Sequence, residues 1–191
     1  MARRFDKLTF SVSLERGLQR FRELIVYIAS KSVDDPSFGA TKLNKILYHS
    51  DFRAFERFGV PLTGAPYFRL KNGPAPRVMV PVRDELVAEG VIEVVKKDLG
   101  NGYVQHRVIA RRNPVLEHFT ADEIALVDEV IRELWPQTAT EVSDASHDIR
   151  WRTLQDKDPI PYEFAFLSNE VPTEDDVART EQLVAEFGWE R

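Results

Sequence analysis

The chain has 191 residues and sets 26 Lys and Arg against 31 Asp and Glu, a formal charge of −5; one domain of this length buries roughly 70% of the surface its unfolded chain exposes. It has no cysteine, which excludes a disulfide framework, a thiolate metal site and a cysteine nucleophile, and suits a reducing compartment. No apolar run approaches the ~18 residues of a membrane helix, the basic N-terminus lacks the apolar core of a secretory signal, and the acidic balance gives no broad hold on nucleic acid, so a cytoplasmic globular protein without membrane contact is expected.

Leu14, Leu18, Phe21, Leu24, Ile25 and Ile28 recur at steps of three and four, which predicts a first helix with Ser13 as its N-cap. Asp34, Asp35, Pro36 and Gly39 mark a loop. A second helix over 41–58 then follows, with Leu43, Ile46, Leu47, Ala54, Phe55 and Phe58 on one face and Gly59 and Pro61 as the stop. The stretch 61–76 reads as an extended excursion around Tyr67-Phe68-Arg69-Leu70 that ends at Asn72-Gly73-Pro74. A third, shorter helix carries Val78, Val82 and Leu86 and ends at Gly90; it accepts Pro81 only within its first turn.

Val91–Val95 and Tyr103–Ile109 are β-rich runs around Gly100-Asn101-Gly102, a hairpin signal. Thr120 with Glu123 forms a capping-box pattern before Ile124, Val127, Val130, Ile131 and Leu134, closed by Trp135-Pro136. Thr138 with Glu141 repeats it and opens a short helix holding Val142, Ala145 and Ile149; a proline-containing stretch, 158–162, follows. A last amphipathic helix over 173–187 presents Val177, Val184 and Phe187, ends at Gly188, and needs its apolar face buried. The expected fold is mainly α with a small β-hairpin: a compact helical domain with a winged-helix-like order of three helices and a hairpin, followed by C-terminal helices. An N-terminal extension spans 1–13, the domain 14–167, and a helical extension packed on it 168–191.

The four histidines show no zinc-binding spacing. His49 with Asp51, and His147 with Asp144 or Asp148, are the carboxylate–imidazole combinations that would serve a general base in a hydrolase. Residues two apart on a helix point to different sides, however, and an Asp–His pair three apart is more often an exposed helix contact. No nucleophile elbow or phosphate loop accompanies them, so neither metal nor cofactor is expected. Lys96, Lys97, Arg107, Arg111 and Arg112 give the hairpin a basic rim, either the wing of a DNA-binding regulator or a solvated surface. The preceding helix offers Arg77 and Arg83 but also Asp84, Glu85 and Glu89, which oppose a polyanion. Lys42, Lys45, Tyr48, Asp51 and Arg53, with Tyr67, Arg69 and Lys71, mix aromatics and cations as protein interfaces do, or as the wet rim of a helix pair does. Arg150-Trp151-Arg152 reads equally as an exposed anchor or as a core tryptophan flanked by charges.

Three short motifs occur in order: Thr41-Lys42-Leu43-Asn44-Lys45-Ile46-Leu47-Tyr48-His49-Ser50-Asp51, then Phe58-Gly59-Val60-Pro61-Leu62-Thr63, then Asn72-Gly73-Pro74-Ala75-Pro76. Together with Ser143-Asp144-Ala145-Ser146-His147-Asp148, Trp151 and Pro159-Ile160-Pro161-Tyr162, they resemble the Panacea domain, the SocA-like antitoxin domain, over about residues 14–167. The resemblance implies a non-enzymatic antitoxin that neutralises a cognate toxin by direct contact, the toxin being encoded by the adjacent gene. Some relatives deliver the toxin to a protease and others are phage-associated. The resemblance supplies no agreed set of contact residues, so the positions that match its motifs, Lys42, Lys45, Tyr48, Asp51, Gly73, Pro74, His147 and Trp151, are the toxin-binding candidates, each with a structural role as the alternative. A DNA-binding regulator is the alternative, and a hydrolase the third.

Overall fold

The computed structural model describes residues 13–100, 102–167 and 171–188; the expected N-terminal extension lies outside them apart from Ser13. Helix α1 (Leu14–Lys31) begins where Ser13 Oγ accepts from Arg16 N. Helix α2 (Ala40–Phe58) ends at Gly59, whose φ of 75° is the left-handed turn that glycine adopts without a Cβ penalty. With α4 (Ala121–Leu134) these helices enclose the core. Phe21, Leu24, Ile25 and Ile28 meet Leu43, Ile46 and Leu47, while Leu126, Val127 and Val130 close the third side.

The excursion after α2 is a small sheet. Strand β1 (Tyr67–Phe68) pairs antiparallel with β2 (Ala75–Pro76) on one side and with β5 (Pro159–Ile160) on the other. Pro76 and Pro159 lie on the two edge strands, where a missing amide donor breaks no ladder. Two-residue strands show no alternation, so this sheet had no sequence signature; it brings residues some ninety positions apart together beneath α2.

Helix α3 (Met79–Ala88) has Pro81 in its first turn, as the sequence requires. Strands β3 (Ile92–Asp98) and β4 (Val104–Ala110) form the hairpin, in a register from Ile92 opposite Ala110 to Asp98 opposite Val104. Ile92 and Val108 anchor its base in the core. Gln105 donates to the carbonyls of Pro36 and Phe38, and Arg107 to those of Asp35 and Val33, which ties β4 to the α1–α2 loop.

Both expected capping boxes are present, Thr120 with Glu123 at α4 and Thr138 with Glu141 at α5 (Ala139–Ala145). Ile149 is not part of α5, contrary to the sequence reading. The chain breaks after Ala145 and restarts as α6 (Ile149–Arg152), because Asp148 accepts from the amides of Arg150 (3.0 Å) and Trp151 (3.3 Å) and so caps a new turn. A 3-10 turn, Tyr162–Phe166, then packs on α2.

Helix α7 (Glu174–Phe187) has a Thr173–Asp176 capping box and a left-handed Gly188. It buries none of its residues: Val177 is 48% and Phe187 60% exposed, and Val184 is half-buried. The burial expected of this apolar face is therefore not reached. Because α7 buries none of its residues, deleting residues 171–191 is expected to move Tm by no more than about 2 °C; differential scanning calorimetry of the shortened chain checks it, and a larger fall would place this segment in the cooperative core.

Candidate functional site

Lys42, Lys45, Tyr48 and Asp51 follow one another at steps of three along α2, each turned about 60° from the last, and because protein surrounds this part of the helix all four are at most 1% exposed. A charge taken out of water must be met by charge or hydrogen bonds. Lys42, Lys45 and Asp51 are each met by a different segment of the chain.

Lys42 Nζ lies 2.5 Å from Asp35 Oδ2 and donates to Trp135 O at 3.0 Å, while Asp35 Oδ1 accepts from Ser37 N at 2.8 Å. This ion pair is closed to solvent and joins the α1–α2 loop to the end of α4. Asp51 accepts from Thr63 N (2.7 Å), Thr63 Oγ1 (2.5 Å) and Tyr67 Oη (2.8 Å). No cation stands beside it among these partners, and burial raises its carboxyl above the ordinary range against the pull of the donors. Tyr162 completes this layer: its ring stacks on Phe52 at 4.8 Å and its hydroxyl donates to Ala65 O at 2.7 Å.

Lys45 is the least compensated. Its ammonium donates to Pro74 O at 2.8 Å, and burial alone pushes its pKa down from 10.5 to about 7. Gly73 sits beside it at φ 86°, and a Cβ there would collide with Ser146 Oγ and lie 2.5 Å from Lys45 Nζ. Only glycine satisfies both the backbone turn and this approach. Ser146 Oγ donates to Ser143 O at 2.6 Å, and Ser143 Oγ donates to Asn72 O at 3.0 Å. The phenol of Tyr48, packed on Phe52 at 4.3 Å, is raised by burial and by the nearby Asp148 carboxylate.

Trp151 pins the outer side of the same loop. Its Nε1 donates to Leu70 O at 2.8 Å, the Arg69 guanidinium lies 3.8 Å from its ring, and the His147 ring is 4.1 Å away. Lys45, Tyr48, Gly73, Pro74, His147 and Trp151 thus meet in one region made by α2, the 70–76 loop and the α5–α6 turn, whereas Lys42 and Asp51 are held elsewhere, by the α1–α2 loop with the end of α4 and by Thr63 with Tyr67. Lys45, Tyr48, Gly73 and Pro74 are the interior of that region; His147 and Trp151 are the candidates that reach its surface, each half-buried.

The carboxylate–imidazole combinations are not assembled. Asp51 is turned to Thr63 and Tyr67, whereas the His49 imidazole is pushed down to about 3 by removal from water and by Arg53 and Lys45. Asp148 is occupied as a helix cap and His147 with Trp151. Among the described residues no group of three or more metal-ligating side chains is placed to hold an ion. The basic rim of the hairpin is largely used internally: Arg112 clasps Glu23 at 2.5 and 2.7 Å, Arg111 pairs with Glu93, and Arg107 holds backbone carbonyls. A nucleic-acid wing would therefore have Lys96 and Lys97 as its unengaged cations from that set, beside an α3 that exposes Asp84, Glu85 and Glu89. Sequence reasoning gave no such role to Asp35 and Thr63, the partners of Lys42 and Asp51, because short polar residues in loops look alike until the fold selects them.

A family model described as antitoxin SocA-like, Panacea domain, matches residues 43–152, more than half of the chain. The chain belongs to this family. The match takes in seven of the eight candidate positions, and Lys42 stands one residue before it. No curated protein and no solved structure matches the chain.

Two predictions follow from the buried charges. Because the Lys45 pKa is lowered on folding, the unfolded chain binds the extra proton between about pH 7 and pH 10, and this group makes stability rise with pH across that window by up to ~1.4 kcal/mol per unit. Urea unfolding of Lys45→Met should lack that rise, so the difference between variant and parent changes steadily with pH; a constant difference would refute it. Lys42→Ala, which strands Asp35, should cost about 3–5 kcal/mol, and Lys42→Met with Asp35→Asn should recover part of that loss. A double-mutant cycle by chemical denaturation measures the coupling, and additive losses would deny it.

Proposed function

We propose that this member of the SocA-like Panacea antitoxin family neutralises a protein toxin by direct contact, without chemistry of its own, through a preformed surface that covers or distorts the toxin's active region. The observation that carries this reading is the meeting of six of the eight candidate positions at the 70–76 loop and the α5–α6 turn, with Trp151 and His147 at the surface. Lys45 and Trp151 spend their donors on carbonyls of that loop, which suits a preformed docking surface better than a general base or nucleophile. Lys45, Tyr48, Gly73 and Pro74 act as positioning residues under that surface. Trp151, His147 and Arg69 are the anchors, since desolvated Trp and Arg side chains dominate binding energies, and the exposed Lys71, Asn72 and Arg152 form the rim.

The toxin is the product of the neighbouring gene, and the encounter takes place in the cytoplasm. Growth of a host expressing that neighbour, with and without this chain, tests the function; rescue accompanied by co-purification of the pair supports it, and toxicity unrelieved by this chain overturns it. Rescue that fails in a protease-deficient host would assign the chain a delivery role instead of occlusion. Within the complex, Trp151→Ala should weaken affinity at least tenfold, about 1.4 kcal/mol or more, with Arg152→Glu reducing it less. Both are read by calorimetry beside a circular-dichroism control for folding. Unchanged affinity in both variants would move the contact surface elsewhere.

A further inference from the structure

The hairpin carries an open edge. Strands β3 and β4 form a sheet of two. Strand β4 lies against α1 and α2 and is tied to the α1–α2 loop by Gln105 and Arg107, whereas among the described residues no strand lies on the other side of β3. The bonds at its two ends, Arg111 N to Val91 O and Leu99 N to Tyr103 O, both 2.9 Å, fix which residues of β3 face β4. Residues alternate along an antiparallel ladder, so Val91, Glu93, Val95, Lys97 and Leu99 turn their backbone groups to β4. Those of Ile92, Val94, Lys96 and Asp98 point out along the free edge.

The outer half of this strand is exposed, from Val95 through Asp98, as is Glu93. Lysines on an open edge ordinarily discourage pairing. Here their order matters: Glu93-Val94-Val95-Lys96-Lys97 is self-complementary when it runs antiparallel to itself about Val95. Glu93 then stands opposite the partner's Lys97, and Val95 opposite the partner's Val95. These fall in the non-hydrogen-bonded pairs, where facing Cα atoms are about 4.5 Å apart and side chains interact most closely. Val94 and the partner's Lys96 exchange the hydrogen bonds, so outward groups meet outward groups.

The neighbouring registers lose these pairings. Centring on Lys96 sets Lys96 against the partner's Lys96, and centring on Val94 places both lysines opposite Val91 and Ile92 of the second copy. A register between these would oppose outward with inward residues. Arg111, at the end of β4, already pairs with Glu93 from the inner side of β3, so the partner's Lys97 adds a second cation to that carboxylate from the edge; on the same face the opposing strand contributes Ile109, Arg107 and Gln105, and the latter two are engaged with the α1–α2 loop.

We propose that two copies of this chain join through β3 into a continuous four-stranded antiparallel sheet, with the two-fold axis at Val95. Such an isologous contact is closed, so it yields a dimer and not a filament. An edge of seven residues lies at the small end of interface sizes, and the dimer is reversible at micromolar concentrations.

Sedimentation velocity of the full chain over a micromolar to sub-millimolar series tests the proposal. The parent should shift from monomer to dimer. Lys97→Glu, which sets like charges opposite each other at both ends, should weaken association at least tenfold, and Glu93→Lys combined with Lys97→Glu should restore it. Lys96→Pro removes an outward amide on each copy while leaving the β4 ladder bonds, and should also give a monomer. Circular dichroism and Tm confirm that the variants fold. A parent that stays monomeric throughout, or a dimer indifferent to both Lys97→Glu and Lys96→Pro, overturns the proposal.

Discussion

Helix α2 runs two lysines and an aspartate through the protein interior, and the rest of the architecture follows from satisfying them. A buried charge is tolerated only where bonded partners replace water. Those partners come from separate stretches of chain: Asp35 before the helix, Thr63 and Tyr67 after it, the carbonyl of Pro74, and the carbonyl of Trp135 at the end of α4. Each bond fixes a loop that hydrophobic packing alone leaves free to slide. Apolar contacts hold α1, α2 and α4 together; the charges decide how the connections between them lie.

That division of labour accounts for the polar groups of the region by structural demand alone. Lys45, Ser146 and Gly73 meet at one point, yet Lys45 and Ser146 are at most 2% exposed and no substrate reaches them. Their effect is transmitted outward, to the 70–76 loop and to Trp151, where a macromolecular partner can read it. The hairpin belongs to a different part of the surface. Arg107 serves the α1–α2 loop and Arg111 pairs with Glu93 within the hairpin, and among the described residues the outer side of β3 carries no strand, so a contact made there leaves the α2, α5 and α6 region available.

Much of the fold was legible because helical signals are redundant. The apolar spacing of α1 and α2, the Thr–Glu capping boxes of α4 and α5, and the Gly100–Gly102 turn each state locally what the structure then shows. The sheet of β1, β2 and β5 was not legible: two-residue strands have no period, and β5 joins from a distant segment. The break between α5 and α6 was missed because Asp148 was weighed as a titrating group, while its side chain competes with the helix for backbone amides. At the candidate site, the sequence motifs contain the buried polar positions of α2 but could not assign their depth. Lys42 and Lys45 looked like surface cations because lysine is almost never fully buried unless paired; their partners lie 7 and 29 residues away in sequence.

The polar interior of α2 also shapes how the protein responds to temperature. Exposing apolar surface on unfolding raises heat capacity, and exposing polar surface lowers it. Lys42, Lys45, Ser50, Asp51 and Thr63 are all buried, and their hydration on unfolding offsets part of the apolar contribution. The stability curve is thereby flatter than that of an all-apolar core of the same size, with weaker curvature toward both cold and heat.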